Sequence, residues 1–261
     1  MDSLVLKLVL TPALIGGASL AGRRWGPGVS GWLVGLPLTS APIAVFLALE
    51  QGGGFAATAA LGTMAGTISQ AAFGVAYAWL ALRRGLPAAI AGGILAFAVS
   101  TAALQRAPSF PAALFAAAIL ALVASLRLMP ADRSPGASGS APLPAWDIPA
   151  RMAVATAFVL LLTGVAGMLG PRLTGLLAPF PLYAAILAVF AHRLEGPAAA
   201  ARVLRGLLLG LFGFAGFFLV FAALIESAGI VLAVAAATAV TLALQAGSFW
   251  ALRQGLSSRN G

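Results

Sequence analysis

The sequence GPGVSGWLVGLPLTSAP, at Gly26–Pro42, returns 144 positions later as GPRLTGLLAPFPLYAAI, at Gly170–Ile186. The match continues without a gap to Leu80 and Leu224. About a third of the aligned positions are identical, where this composition would give roughly an eighth by chance. Glycine and proline keep the same spacing in both copies, which shared hydrophobicity alone does not explain. The chain therefore contains an internal repeat.

The composition is that of a membrane protein. Of 261 residues, 61% are hydrophobic and 8% are charged, and the mean hydropathy is +1.04. Soluble domains carry about 25% charged residues, so a soluble globular domain is excluded. The sequence has no cysteine, which excludes disulfides, thiolate metal sites and cysteine nucleophiles.

Nine apolar runs are long enough to cross a hydrocarbon core about 30 Å thick, which takes roughly 20 helical residues. They are Ser3–Ala21, Gly28–Leu49, Phe55–Leu82, Leu86–Leu104, Phe110–Leu128, Met152–Leu169, Leu173–Ala191, Val203–Ile225 and Ala228–Leu252. The first run is predicted to be a span and not a cleaved signal peptide, because Asp2 spoils the basic leader and the run is long enough to cross. The prediction is nine transmembrane helices.

The basic residues set the orientation. The net charge of +9 comes from 15 basic and six acidic residues, and the basic ones stand singly or in pairs between apolar runs. With nine spans, 12 of them fall on one side, and Lys7, Arg106 and Arg172 fall on the other. Without the fifth span the division would be 10 to 5. Since Lys and Arg near span ends favour the cytoplasmic side, the N-terminus is predicted outside a bacterial inner membrane and the C-terminus in the cytoplasm.

The repeat defines the domain organisation. Residues 1–104 form a first four-helix unit, and residues 150–261 form a second. Residues 105–149 supply a connecting fifth helix and a Pro/Ser/Gly/Ala-rich segment, Met129–Pro149, that is predicted to be a flexible cytoplasmic linker. Equivalent helices are separated by five spans, an odd number, so the two units are inverted in the membrane.

Inverted repeats are typical of secondary transporters, in which two similar units open a central site alternately to each side. The prediction is therefore a transporter that moves a small solute by alternating access. Two other classes remain open: a channel or lipid-moving facilitator, and a non-catalytic partner in an envelope assembly complex.

Proline marks the candidate substrate site. Pro37 and Pro181 are equivalent in the repeat and lie within predicted spans. A proline there removes a backbone hydrogen bond, and in lipid the freed groups need partners. These positions therefore predict kinked or broken helices beside a cavity, where Thr39, Ser40 and Tyr183 would offer hydroxyls to a solute. A proline kink used only for helix packing is the alternative.

The third span adds a polar stripe of Thr63, Thr67 and Gln70, which share one helix face. The equivalent residues of the second unit are apolar, so the stripe is either part of the solute site or a set of interhelical hydrogen bonds. Three residues at span ends, Glu50, Gln51 and Glu195, are candidate gates or ordinary solvated ends.

No enzymatic function is predicted, because the sequence shows no nucleophile–base pair, paired carboxylates or phosphate-binding glycine loop. A single histidine cannot form a multi-histidine metal site. The expected partners are the lipid bilayer and a small solute, with a homo-oligomer possible and with no nucleic acid, cofactor or metal.

The segment from Gly26 to Ser40, with Leu49-Glu50-Gln51-Gly52 that follows, resembles the signature of small uncharacterised bacterial inner-membrane proteins of the GlpM type. Those proteins are about one unit long and have four predicted spans. The second unit, with GLLAPFP at Gly175–Pro181, resembles them more loosely and lacks the Thr-Ser pair. The resemblance implies a four-helix unit that pairs with an inverted copy, here fused through the fifth span, and it implies no activity.

The inverted arrangement predicts that the two ends of the fifth run lie on opposite sides of the membrane. In the cysteine-free chain, Ala107→Cys should react with an impermeant thiol reagent added outside intact cells, and Ala131→Cys should react only after the membrane is opened. Labelling of both positions from one side would refute the inverted arrangement.

Overall fold

The computed structural model describes residues 3–25, 36–107, 110–130 and 147–257, and these residues are helical apart from short turns. There are eight helices in this part of the chain. They are α1 (Ser3–Trp25), α2 (Ser40–Gln51), α3 (Gly53–Arg84), α4 (Leu86–Leu104), α5 (Pro111–Leu128), α6 (Asp147–Leu177), α7 (Leu182–Glu195) and α8 (Pro197–Ser257). Helices α6 and α8 are bent sharply, at Gly170 and Gly229. The all-helical prediction is confirmed for the described residues.

Five of these helices are long and apolar enough to cross a membrane: α3, α4, α5, α6 and α8. Their outward surface carries large apolar side chains, with Met168 84% exposed, Val231 81% and Leu120 70%. Such a surface is unfavourable in water and suits contact with lipid. The helices therefore indicate a membrane-embedded protein.

Helix α3 and the first part of α8 form the centre of the molecule. In both, 61% of the most apolar stretch is buried, against 22% in α4 and in α5. Helix α3 packs along α8 and also against α4, α5 and α6, while α1 packs on α6 and α7 packs on α8. The central pair consists of equivalent helices of the two sequence units, and so does the pair α1 and α6.

Glycines turn the chain at equivalent places in both units. Gly52, between α2 and α3, has φ 91° and ψ 168°, and Gly196, between α7 and α8, has φ 90° and ψ 177°. Gly85 and Gly229 form a second pair, with φ 79° and 76°. Only glycine adopts such angles without strain. Each pair is separated by the 144-residue period of the repeat.

Small residues let α3 approach the end of α6. A Cβ atom on Gly62 would lie 2.7 Å from the carbonyl oxygen of Arg172, and one on Gly66 would lie 2.9 Å from that of Leu176. From the other side, a Cβ on Gly175 would overlap the backbone of Ala59. Gly62 and Gly66, one turn apart, therefore form a packing surface that holds α3 directly against residues 171–179.

Some element boundaries differ from the sequence-based ones. Helix α6 begins at Asp147, inside the predicted linker, whose residues 131–146 lie outside the described part of the chain. The predicted seventh span, Leu173–Ala191, is not one helix, because α6 ends at Leu177 and α7 begins at Leu182. In the predicted second span, helix α2 starts only at Ser40, and residues 28–35 are not described.

The close contact predicts that a single methyl group at Gly175 destabilises the protein. Gly175→Ala should lower the free energy of unfolding by about 1–3 kcal/mol, the usual cost of overpacking, when unfolding in mixed micelles is followed by circular dichroism. Gly164→Ala is the matched control in the same helix, because no atom lies within 4 Å of its Cβ position. Equal stability of the two variants would contradict the packing described here.

Candidate functional site

Pro37 and Pro181 each form the centre of a tight turn that leads into a helix. The amide of Leu38 donates to the carbonyl of Leu36 at 2.7 Å, and the amide of Leu182 donates to that of Phe180 at 2.7 Å. Pro181 has φ −78° and ψ 52°, which is the inverse γ-turn conformation. We call residues 36–38 and 180–182 the two proline turns.

Each proline turn places its proline where the missing amide is harmless. The carbonyl of Pro37 accepts the first hydrogen bond of α2, from Ala41 at 2.8 Å, and the carbonyl of Pro181 accepts that of α7, from Ala185 at 2.7 Å. A residue just before a helix has no helical partner for its own N–H group. The prolines therefore start α2 and α7 without the cost that proline has inside a helix.

A hydrogen bond joins the residues beside the two proline turns. The hydroxyl of Ser40, at the start of α2, donates to the carbonyl of Ala178, which lies between α6 and the second turn, at 2.9 Å. Ser40 is 2% exposed. Phe180, in the second turn, packs against two aromatic side chains. Its ring centre lies 5.1 Å from that of Phe97 and 6.4 Å from that of Phe73. The starts of α2 and α7 thus face one another inside the protein.

A cavity lies between the two turns. It is a small, partly open pocket, with about 390 Å³ of space between the atoms when the solvent at its mouth is included. Its lining is formed by Leu36, Leu38, Thr39, Ser40, Gln70, Pro179, Phe180, Pro181, Leu182, Tyr183, Ala184, Leu207 and Phe214. Five of the residues predicted to bind solute meet here: Thr39, Ser40, Gln70, Pro181 and Tyr183.

The lining consists largely of equivalent residues from the two sequence units. Five pairs separated by the repeat period face the cavity: Leu36 and Phe180, Leu38 and Leu182, Thr39 and Tyr183, Ser40 and Ala184, and Gln70 and Phe214. The space therefore lies between segments that stand 144 positions apart in the sequence. Its polar groups come mainly from the first unit, and the second unit contributes aromatic and aliphatic surface.

Gln70 brings an unsatisfied polar atom to the cavity. The residue is 6% exposed, and its Oε1 atom has no hydrogen-bond partner among the described residues. A buried polar atom without a partner costs about 1–3 kcal/mol. A solute or water molecule in the cavity that donated a hydrogen bond to this oxygen would remove that cost.

The basic residue Arg151 contacts the side chain of Tyr183. The guanidinium of Arg151, which is 3% exposed, lies 5.1 Å from the centre of the Tyr183 ring, and its Nη1 donates to the tyrosine hydroxyl at 3.3 Å. The hydroxyl of Ser19 lies 3.4 Å from the same tyrosine oxygen. Sequence reasoning missed Arg151. Its repeat equivalent is Lys7, so a basic residue at the same register of both first helices was the available signal.

The remaining polar residues of the predicted site are buried away from the cavity. Thr63 donates to the carbonyl of Ala59 in its own helix at 3.0 Å. Thr67 is fully buried, and its hydroxyl has no partner among the described residues. Pro37 is buried at the centre of its turn and does not contribute to the lining.

The candidate gates lie at the far ends of α2 and α7. Glu50 is paired with Lys7, with 2.6 Å between Oε1 and Nζ, and Glu195 lies 3.8 Å from the guanidinium of Arg202. Gln51 is exposed at the end of α2. Both carboxylates therefore have a basic neighbour, which reduces the charge that they would present to a passing cation.

The described residues contain no group of three His, Asp or Glu side chains placed to hold a metal ion. The chain matches no protein-family model, no curated protein and no solved structure. The resemblance to GlpM-type proteins therefore stays a prediction.

The link between the two turns can be tested. Ser40→Ala removes a buried hydrogen bond and should lower the free energy of unfolding by about 1 kcal/mol. Ser227→Ala is the matched control, because that hydroxyl is exposed and lies 3.5 Å from the carbonyl of Leu224. Chemical unfolding in mixed micelles measures both variants, and an unchanged stability of Ser40→Ala would show that the link contributes nothing.

Proposed function

We propose that this protein is a transporter that moves a small solute across the bacterial inner membrane by alternating access, and that the cavity between the proline turns is its solute site. The proposal includes nine membrane crossings, with the N-terminus outside and the C-terminus in the cytoplasm. It also includes two inverted four-helix units, each of the GlpM type. In this proposal the protein carries out no chemical reaction and uses no cofactor.

Contacts between helix ends support nine crossings. Three contacts join segments that the proposal places at the outer face: Lys7 with Glu50, Arg172 with the carbonyl of Leu104, and Gly53 with Glu226. Two join segments that it places at the cytoplasmic face: Trp79 with the carbonyl of Leu128, and Arg205 with that of Pro130. None of these five contacts joins an outer segment to a cytoplasmic one.

The observation that carries the proposal is the cavity bounded by equivalent residues of both units. Transporters built from inverted repeats bind their solutes near the middle of the bilayer, between units and beside interrupted helices. Here α2 and α7 start at the cavity and run away from it to Gln51 and Glu195. At about 1.5 Å per residue, their 12 and 14 residues extend over roughly 18 and 21 Å, about two thirds of a hydrocarbon core about 30 Å thick.

The two units adopt different interactions, which alternating access requires. In the first unit Lys7 pairs with Glu50, whereas the equivalent Arg151 contacts Tyr183 beside the cavity. The residue equivalent to Glu50 is Leu194, so the second unit cannot form the same ion pair. In this proposal the unlike contacts hold the two units in different conformations.

Accessibility of a cavity residue tests the proposal. Ala184 lines the cavity and is 1% exposed, and Ala118, in α5, is 0% exposed and lies outside the lining. Ala184→Cys should react with a charged, membrane-impermeant methanethiosulfonate added to either side of sealed vesicles, because each side gains access in turn. Ala118→Cys should not react from either side.

Two results would contradict alternating access. Passage of the reagent through the protein into the vesicle lumen would indicate a channel. An unreactive Ala184→Cys from both sides would indicate a protein without a solute pathway, as in the assembly-partner alternative.

A further inference from the structure

We propose that the cavity binds a small carboxylate that also carries a hydrogen-bond donor, such as a hydroxy acid or an amino acid. The carboxylate would lie between the starts of α2 and α7, and the donor would meet Gln70. This inference rests on the proposed function and names its class of solute.

Two uncapped helix N-termini point into the same space. The residues before α2 and α7 are Thr39 and Pro181, and neither provides a side-chain cap. Among the described residues, the backbone amides of Thr39, Ser40, Tyr183 and Ala184 make no backbone hydrogen bond outside their helices, as expected for first-turn amides. Free first-turn amides and the helix dipole together favour an anion.

The charged side chains around the cavity favour an anion as well. No Asp or Glu belongs to its lining. The guanidinium of Arg151 lies 5.1 Å from the centre of the Tyr183 ring. Glu50 and Glu195 are at the opposite ends of α2 and α7, beside Lys7 and Arg202. A cationic solute would thus meet two positive helix ends, and no carboxylate among the described lining residues would compensate them.

Gln70 adds a requirement that an anion alone does not meet. Its Oε1 atom is a buried acceptor without a partner among the described residues, and a bare carboxylate has no hydrogen to donate to it. A hydroxyl or ammonium group beside the carboxylate supplies that hydrogen.

Four small probes of similar shape separate these requirements. Lactate carries the anion and the donor, propionate carries only the anion, lactamide replaces the anion with a neutral amide, and 1-amino-2-propanol replaces it with a cation. The thermal unfolding of the purified full chain in detergent is measured with each probe at constant ionic strength. A ligand of the folded state raises the unfolding temperature. Lactate should do so most strongly and propionate less, and lactamide and 1-amino-2-propanol should have no effect.

Substitution of Gln70 tests whether this residue accepts the hydrogen bond from the solute. Gln70→Leu should weaken the apparent affinity for lactate about tenfold, to that for propionate, because one buried hydrogen bond is lost. Gln105→Leu, an exposed glutamine at the end of α4, is the matched control and should bind lactate normally. If Gln70→Leu does not fold, Gln70→Asn is used, since the shorter amide should weaken lactate binding in the same direction.

The outcomes separate this inference from the proposed function. Stabilisation by lactamide or 1-amino-2-propanol in place of lactate would overturn the anion assignment, as would no effect of any probe on a protein whose Ala184→Cys variant reacts from both sides. Equal effects of lactate and propionate would overturn the role of Gln70. No effect of any probe together with an unreactive Ala184→Cys would overturn the proposed function itself.

Discussion

Backbone groups freed within an apolar environment must find partners, and this requirement organises the whole structure. Lipid offers no hydrogen bonds, so a turn at membrane depth must be enclosed by protein. Helix α2, which follows the first proline turn, packs on α3, and α7, which follows the second, packs on α8; Ser40 at the start of α2 also donates to the carbonyl of Ala178, beside the second turn. The glycines of α3 allow this enclosure, because any side chain at Gly62 or Gly66 would push the end of α6 away.

Helix ends elsewhere meet the same requirement with arginines. Arg172 donates to the carbonyls of Leu104 and Ala107 at the end of α4, and Arg205 donates to that of Pro130, just after α5. The last carbonyls of a helix have no partner within it, and a basic side chain there also complements the helix dipole. These arginines attach the outer helices α4 and α5 to segments of the second unit.

The repeated backbone carries different side chains in its two copies. The turns at Pro37 and Pro181 have the same hydrogen bonds, and Gly52 and Gly196 have nearly the same angles. The side chains that line the cavity differ: Phe214 stands 144 positions after Gln70, and Ala184 stands 144 positions after Ser40.

Sequence alone determined the features that arise from local chemistry. The apolar runs predicted the helices, and proline predicted the interruption at Pro181, because proline restricts the backbone wherever it stands. Of the eight residues predicted to bind solute, five line one cavity.

Only the tertiary structure decided which polar residues meet. Thr63, Thr67 and Gln70 share a face of α3 by spacing, yet only Gln70 lines the cavity, since the glycine contacts set how α3 is rotated against α6 and α8. The contacts of Lys7 with Glu50 and of Arg151 with Tyr183 join residues 43 and 32 positions apart. Such pairs depend on how separate helices pack, and no local pattern in the chain encodes that packing.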